Sequence, residues 1–345
     1  MIIELQASVP ASTTAAILEA AKVRRLTANL VRNERDAQVI GIGGSIPIDQ
    51  MGLPGIARVE PVHKPFMMAS RELRDSSTVM VGNVPVGNGD PVIMAGPCVV
   101  EDLDGLVEGA RAAQHAGASI LRGGAFKPRT SPYSFQGLGE LGLQHLAAAR
   151  DATGMPVVTE VMEPGEVDLV ASYADMLQVG SRNMANFPLL KRVGDSDKPV
   201  LLKRGFSATV EEFLMSAEYI LSHGNPNVIL CERGIRGFDT MFRFNLDLNA
   251  VPGLKELTHL PVIVDPSHGT GHRSLVPRMA MAGIAAGADG LIVEVHPTPE
   301  TAMCDAAQTI TPGTLADIHR GMVAIHSALA PIFAPEAMPV AVAAD

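Results

Sequence analysis

Ala116-Gly-Ala-Ser-Ile-Leu-Arg-Gly-Gly-Ala-Phe-Lys-Pro-Arg-Thr-Ser131 contains the join on which the fold of this chain turns. Ala-Gly-Ala ends a helical pattern and opens a tight turn, a strand candidate runs from Ser119 to Phe126, and the chain then becomes polar. The same tripeptide precedes a second strand candidate at Ala286-Gly-Ala-Asp289. Outward from these joins, short β-branched runs alternate with amphipathic stretches from about residue 90 onward, the mark of parallel βα units. The strand candidates are Val92–Cys98, Ser119–Phe126, Pro156–Met162, Met176–Arg182, Pro199–Gly205, Asn227–Gly234, Pro261–His268 and Gly290–His296. Helical patterns fill the intervals, among them Leu103–His115, Leu138–Ala152, Val210–His223 and Leu275–Ala286, with Leu315–Leu329 after the last strand. Eight strands over roughly 240 residues predict a closed (β/α)8 TIM barrel over residues 92–332 and not an open sheet.

Residues 1–64 stand outside this alternation. Met1–Gln6, Gln38–Gly43 and Ile56–His63 read as strands and Thr13–Leu26 as a helix, which predicts a small α+β ferredoxin-like domain suited to regulation or assembly. Residues 65–91 read as a linker ending in a hairpin, Thr78–Val81 with Val84–Val86, placed to cap the barrel floor. Residues 333–345 read as a tail.

Composition narrows the functional class. The chain has 345 residues, 47% hydrophobic content and no Trp, enough for one large α/β core with a small appendage. A net charge of −10 argues against nucleic acid as a partner, because such proteins present a basic face to the phosphate backbone. No run approaches the length of a membrane span, and Met1-Ile-Ile-Glu-Leu-Gln6 lacks the form of a signal peptide, so the expected location is cytoplasmic. Three scattered cysteines, Cys98, Cys231 and Cys304, do not make a disulfide framework; each is core, ligand or nucleophile.

A barrel places its chemistry at the C-terminal ends of its strands. Those ends here carry Cys98, Arg122, Arg182, Lys203, Arg233, Asp265, His268 and Glu294, while Lys127, Arg129, Thr130 and Ser131 follow the second strand and Asp305 the eighth. Two chemistries separate. Cys98, His268 and Glu294 come from strands one, seven and eight, which are neighbours in a closed barrel, and Asp305 lies in the next loop. Sulfur, nitrogen and oxygen donors in one set suit a borderline divalent ion such as Mn²⁺, Fe²⁺, Co²⁺ or Zn²⁺. Arg122, Lys127, Arg182, Lys203 and Arg233 bring more cations than one monoanion needs, so two or more anionic groups are expected. Asp265, three residues before His268, is placed either to orient a ligand from behind or simply to form the turn before Pro266.

Six motifs in order now resemble a known family: Gly96-Pro-Cys98, the run Leu121–Gly137, Leu202-Lys-Arg-Gly205, Cys231-Glu-Arg-Gly234, Asp265-Pro-Ser-His-Gly-Thr-Gly271 and Glu294-Val-His-Pro297. The chain resembles 3-deoxy-D-arabino-heptulosonate 7-phosphate (DAHP) synthases of type Iβ, from the first strand to about residue 332, with residues 1–64 similar to the regulatory domain some members carry. The resemblance implies an aldol-type transferase that condenses phosphoenolpyruvate, erythrose 4-phosphate and water into DAHP and phosphate, opening the shikimate pathway to the aromatic amino acids. It implies Cys98, His268, Glu294 and Asp305 as metal ligands, and Arg182 and Arg233 at the phosphoenolpyruvate phosphate. Arg122, Lys127 and Lys203 fall around the phosphoenolpyruvate carboxylate, with Lys127 also the candidate for proton transfer. Arg129, Thr130 and Ser131 fall at the aldose phosphate. It also implies a homotetramer or homodimer.

Four positions depart from the pattern. Val99 follows Cys98 where Ser is usual, Phe244 stands where Asn is common, and Asn29 and Val31 replace the His and Ser of tyrosine-inhibited members, which puts aromatic feedback in doubt. Three alternative readings share much of the pattern: a 3-deoxy-octulosonate 8-phosphate synthase, a secondary-metabolism paralogue with a different aldose, and an inactive regulatory partner of a synthase. Retention of all four metal-ligand candidates speaks against the last.

Overall fold

Parallel strands that bury both faces read as near-continuous apolar runs, and every residue of Val92–Gly96, Val228–Glu232 and Gly290–Glu294 is buried. A computed structural model describes residues 1–32, 37–61, 64–127 and 133–333. The elements in chain order are β1 (Ile2–Leu5), α1 (Ala11–Val23), β2 (Ala28–Arg32), β3 (Gln38–Ile42), α2 (Ile48–Met51) and β4 (Ile56–Glu60), followed by β5 (Val79–Val81) and β6 (Val84–Val86). Then come β7 (Val92–Gly96), α3 (Leu103–His115), β8 (Ile120–Arg122), α4 (Glu140–Thr153), β9 (Val157–Glu160), α5 (Val167–Tyr173), β10 (Met176–Val179), α6 (Phe187–Gly194), β11 (Val200–Lys203) and α7 (Val210–Ser222). The chain continues through β12 (Val228–Glu232), α8 (Ala250–Leu257), β13 (Val262–Val264), α9 (Pro266–Thr270), α10 (Val276–Ala285), β14 (Gly290–Glu294) and α11 (Pro312–Leu329). Strands β7 to β14 close into one parallel barrel, in which β14 pairs with β7. All eight expected strands are present, and each begins within a residue of its expected start.

Alternation along each strand feeds two cores. Met94, Ile120, Val158, Met176, Leu201, Ile229, Ile263 and Ile292 pack together inside the barrel. Their neighbours, such as Ile93, Leu121, Val157, Leu177, Leu202, Leu230 and Val264, pack outward among the buried faces of the helices. The helices are fixed by ordinary end chemistry: the Asp102 carboxylate accepts from Gly105 N at 2.8 Å, and Thr209 and Glu212 form a reciprocal capping box on α7. Val79, Val81 and Val86 of the β5–β6 hairpin join the inner apolar cluster and close its floor.

The N-terminal sheet has the order β2-β3-β1-β4, all antiparallel, with α1 packed on one face through Ile17 and Ala21 against Ile3, Leu5, Ile40 and Ile42. This is the ferredoxin-like arrangement, with one difference from the sequence pattern. That pattern carries the helix to Leu26 and assigns no element to 28–32, whereas the helix ends at Val23 and 28–32 is an edge strand paired with β3 alone. An edge strand pairs on one side only and leaves residues such as Leu30 exposed, so its pattern is weak.

A strap over residues 66–77 joins the two bodies. Phe66, Met67, Met68 and Ala69 are buried in the barrel's outer core, and the Glu218 carboxylate of α7 accepts from Met68 N at 2.8 Å and Ala69 N at 2.9 Å. Asn29 Nδ2 of β2 donates to Leu221 O of α7 at 3.2 Å, so the edge strand also docks on the barrel. His259, behind α8, holds the strap from below: Nε2 donates to Met68 O and Nδ1 accepts from Ser77 Oγ, both at 2.7 Å.

A neutral imidazole satisfies both contacts. Burial pulls the His259 pKa down to about 4, with Arg74 adding to the shift and the Met68 carbonyl opposing it. A histidine with a folded pKa below its unfolded value binds fewer protons folded than unfolded between the two, so stability is complete above about pH 6.5 and lost toward pH 4. The loss is expected to be about 3 kcal/mol. Urea unfolding at pH 7 and pH 4 should show a drop larger by about that amount in the natural protein than in His259→Gln. Equal drops would remove His259 as the cause.

Candidate active site

The inner apolar layer determines what stands at the rim. Two residues beyond an inward apolar side chain the next side chain on the same face emerges at the barrel mouth. Ile120 thus presents Arg122, Leu201 presents Lys203, Cys231 presents Arg233, Ile263 presents Asp265 and Ile292 presents Glu294. Cys98 follows Met94 and Gly96 in the same register. A Cβ on Gly96 would lie 2.1 Å from Arg122 O, so glycine is needed for this strand to approach its neighbour.

Donor atoms of His268, Glu294 and Asp305 lie within 4.8 Å of one another, as do those of Cys98, Cys304 and Asp305. The two sets share Asp305. Cys98 Sγ donates to Asp305 Oδ2 at 3.0 Å, and His268 Nε2 lies 3.4 Å from Glu294 Oε1. Asp305 holds a left-handed backbone at φ 51°, an unusual conformation for a residue other than glycine, and its carbonyl accepts from Gln308 N and Thr309 N. His268 is oriented from behind: Asp265 Oδ2 accepts from Nδ1 at 2.7 Å and Oδ1 accepts from His268 N at 2.9 Å. Asp265 thus caps α9 and also fixes the His268 ring. These donors fit a borderline divalent ion: soft sulfur, borderline imidazole and two carboxylates on converging elements.

The cations interleave with the donors. Lys127 Nζ lies 2.7 Å from Cys98 Sγ and 3.2 Å from Asp305 Oδ2. Burial alone would lower the Lys127 pKa, but Cys98, Glu294 and Asp305 overcome it and hold the ammonium well above its usual value. Burial raises the Cys98 thiol, helped by Cys304 and Glu294 and opposed by Lys127. Asp305 moves the other way: Lys127, Cys98 and His268 outweigh burial and hold its carboxyl below the usual range. Lys203 Nζ donates to Asp265 Oδ2 at 2.5 Å. Arg122 Nη1 donates to Pro97 O at 2.9 Å and to Glu294 Oε1 at 3.1 Å, while its buried Nε has no partner among the described residues. Arg182 and Arg233 stand apart around the Phe206 ring, 5.6 and 4.9 Å from its centre. Arg129, Thr130 and Ser131 lie outside the described residues.

A profile of the DAHP synthetase I family matches residues 67–330. The chain belongs to that family. It is 50% identical over 281 residues to the phospho-2-dehydro-3-deoxyheptonate aldolase of Thermotoga maritima, covering 80% of this chain and 83% of that protein. A 2-dehydro-3-deoxyphosphooctonate aldolase of Desulfatibacillum aliphaticivorans is 32% identical over 276 residues, 73% of this chain and 99% of its own. The crystal structure of the Thermotoga maritima DAHP synthase superposes with a TM-score of 0.76 at 43% identity, covering 95% of this chain and 97% of that one. The family, the barrel and the enzyme class expected from the sequence are those found.

For a DAHP synthetase family member, the rim holds more than the strand-end motifs name. Glu160 and Gln178, two residues beyond the inward Val158 and Met176, line a pocket with Cys98, Arg122 and Lys127, and Gln178 Nε2 donates to Glu160 Oε2 at 3.1 Å. A Cβ on Gly180 would lie 2.0 Å from Glu160 Oε1, so that glycine leaves room for the carboxylate. The same two-residue register would have found both. Gln308, whose amide donates to Glu294 Oε2 at 2.7 Å, lies in a loop and carries no such signal. Two strand-end residues of the motifs stay out of the rim: Cys231 is interior core, and His296 bonds within its own loop to Thr298.

Proposed function

We infer that this rim condenses phosphoenolpyruvate with erythrose 4-phosphate and water to give DAHP and inorganic phosphate, the first step of the shikimate pathway. The convergence of His268, Glu294 and Asp305, joined through Asp305 to the Cys98–Lys127 contact, carries the reading. Cys98, His268, Glu294 and Asp305 would hold the ion, with Mn²⁺ the proposed occupant. A divalent ion there supplies Lewis acidity, which polarises a carbonyl or a water by several kcal/mol.

The side chains do the positioning. Arg122, through the Nε that has no partner among the described residues, together with Lys127 and Lys203, takes the phosphoenolpyruvate carboxylate, and Arg182 and Arg233 take its phosphate. Arg129, Thr130 and Ser131 are assigned to the aldose phosphate. Two anchored substrates bring carbon 3 of the enol to the aldehyde in one bound encounter, which supplies the effective molarity. With its pKa held high, Lys127 is charged at neutral pH and serves as the proton donor to the oxygen left on the aldehyde carbon, not as a base. Water adds at carbon 2 as phosphate leaves.

The test is phosphate release from phosphoenolpyruvate with erythrose 4-phosphate or with arabinose 5-phosphate, each with and without chelator. Release is expected with the four-carbon aldose only, abolished by EDTA and restored by Mn²⁺. Comparable release with arabinose 5-phosphate would favour the octulosonate reading, and full turnover with verified metal-free protein would remove the metal assignment.

Residues 1–64 are assigned to assembly or control, within a cytoplasmic homotetramer or homodimer. Among the described residues no helix is long and apolar enough to cross a membrane. The Asn29 amide is committed to Leu221 O and Met68 Sδ, which supports weak or absent inhibition by tyrosine.

A further inference from the structure

Arg233 is buried, yet among the described residues it has no carboxylate partner; its one hydrogen bond runs from Nη1 to Gly234 O at 3.3 Å. Two aromatic rings hold it. The guanidinium carbon lies 4.1 Å from the centre of the Phe244 ring and 4.9 Å from that of Phe206, and the rings stack on each other at 5.0 Å and 25°. Phe244 stands where asparagine is common in the family that the chain resembles.

The clamp is built into the loops. Ile235 and Asn245 exchange backbone hydrogen bonds of 2.9 and 2.8 Å, which folds the loop after β12 back and lays Phe244 over Arg233. Arg236 N donates to Phe206 O at 2.7 Å, tying that loop to the one after β11. Arg204 Nη1 reaches Glu232 Oε2 at 2.8 Å and Asp247 Oδ2 at 2.9 Å, pinning both loops from below.

A buried guanidinium needs some compensation for lost water. A carboxylate would supply it and would also cancel the charge. The faces of two rings supply it through their quadrupoles and leave the net positive charge and the N–H fork available to an anion. We propose that Phe244, with Phe206, is a positioning residue that holds Arg233 unneutralised and thereby sets the affinity for the phosphate of the enol substrate. This rests on the assignment of Arg233 to that phosphate.

The test compares Phe244→Leu with 3,4,5-trifluorophenylalanine introduced at position 244, which keeps the ring's outline and drains its negative face. Steady-state kinetics with both substrates are run on the metal-loaded full chain. Phe244→Leu should raise the KM for phosphoenolpyruvate about tenfold and the fluorinated ring roughly threefold, with kcat and the aldose KM changing less than about twofold. Arg233→Ala is run beside them, alone and combined with Phe244→Leu; the double variant should be no worse for phosphoenolpyruvate than Arg233→Ala alone. If Arg233→Ala weakens phosphoenolpyruvate while the fluorinated ring behaves as the natural one, the clamp is overturned and the site assignment stands. If Arg233→Ala itself leaves that KM unchanged, the assignment of Arg233 falls and the clamp with it. If Phe244→Leu raises both KM values equally, the ring is structural and the proposal fails.

Discussion

Cys98→Ala is expected to lower turnover at limiting metal by about two orders of magnitude or more, because about 3 kcal/mol of the barrier reduction depends on a properly held ion. The sulfur is the soft member of the donor set, and nothing else in the described rim replaces it on the same side except Cys304, which comes from a different loop. The fold is expected to survive. Cys98 lies two residues past the end of β7 and packs with Val99, Cys304 and Phe135 in a small cluster separate from the two barrel cores. Metal content per chain, unfolding midpoint and turnover against added Mn²⁺ decide the matter together. Wild-type turnover of Cys98→Ala at limiting metal would show that the sulfur is not a ligand. Loss of folding without metal loss would assign it to packing.

Arg233→Ala and Arg129→Ala are expected to fail on different substrates. Removing a charge-assisted contact to a phosphate costs about 2 to 4 kcal/mol, a factor of about 30 to 1,000 in the corresponding binding step. The first should fall on phosphoenolpyruvate, because Arg233 is buried and has no carboxylate partner among the described residues. The second should fall on erythrose 4-phosphate, an expectation carried by the Lys127-Pro-Arg-Thr-Ser131 run in the sequence. Michaelis constants for both substrates, measured for each variant at saturating partner and metal, separate the two. Equal effects of each variant on both constants would mean that the anion ring is divided otherwise.

Most of the rim is legible in the amino-acid sequence because barrel register is a two-residue rule. An inward apolar residue followed two positions later by a polar one marks a side chain at the mouth, and Arg122, Lys203, Arg233, Asp265 and Glu294 all obey it. Glu160 and Gln178 obey it as well, although no motif of the strand ends singles them out. Gln308 and Cys304 follow no rule of this kind, because a loop has no period to place them.

The sequence by itself determined that eight apolar runs alternate with amphipathic helices, and hence a barrel, because burial on both faces of a strand and one face of a helix imposes periods that survive in a linear string. It also determined which residue types reach the rim. Only the tertiary structure decided which of them touch. Arg122 meets Glu294 across 172 positions of sequence, Asn29 of the small sheet meets Leu221 of a barrel helix across 192, and Arg233 is held by Phe206 and Phe244 where a carboxylate would be the ordinary expectation. Such pairings depend on closure of the barrel, on loop paths and on competition among neighbouring side chains for the same partner, none of which has a periodic trace in the sequence.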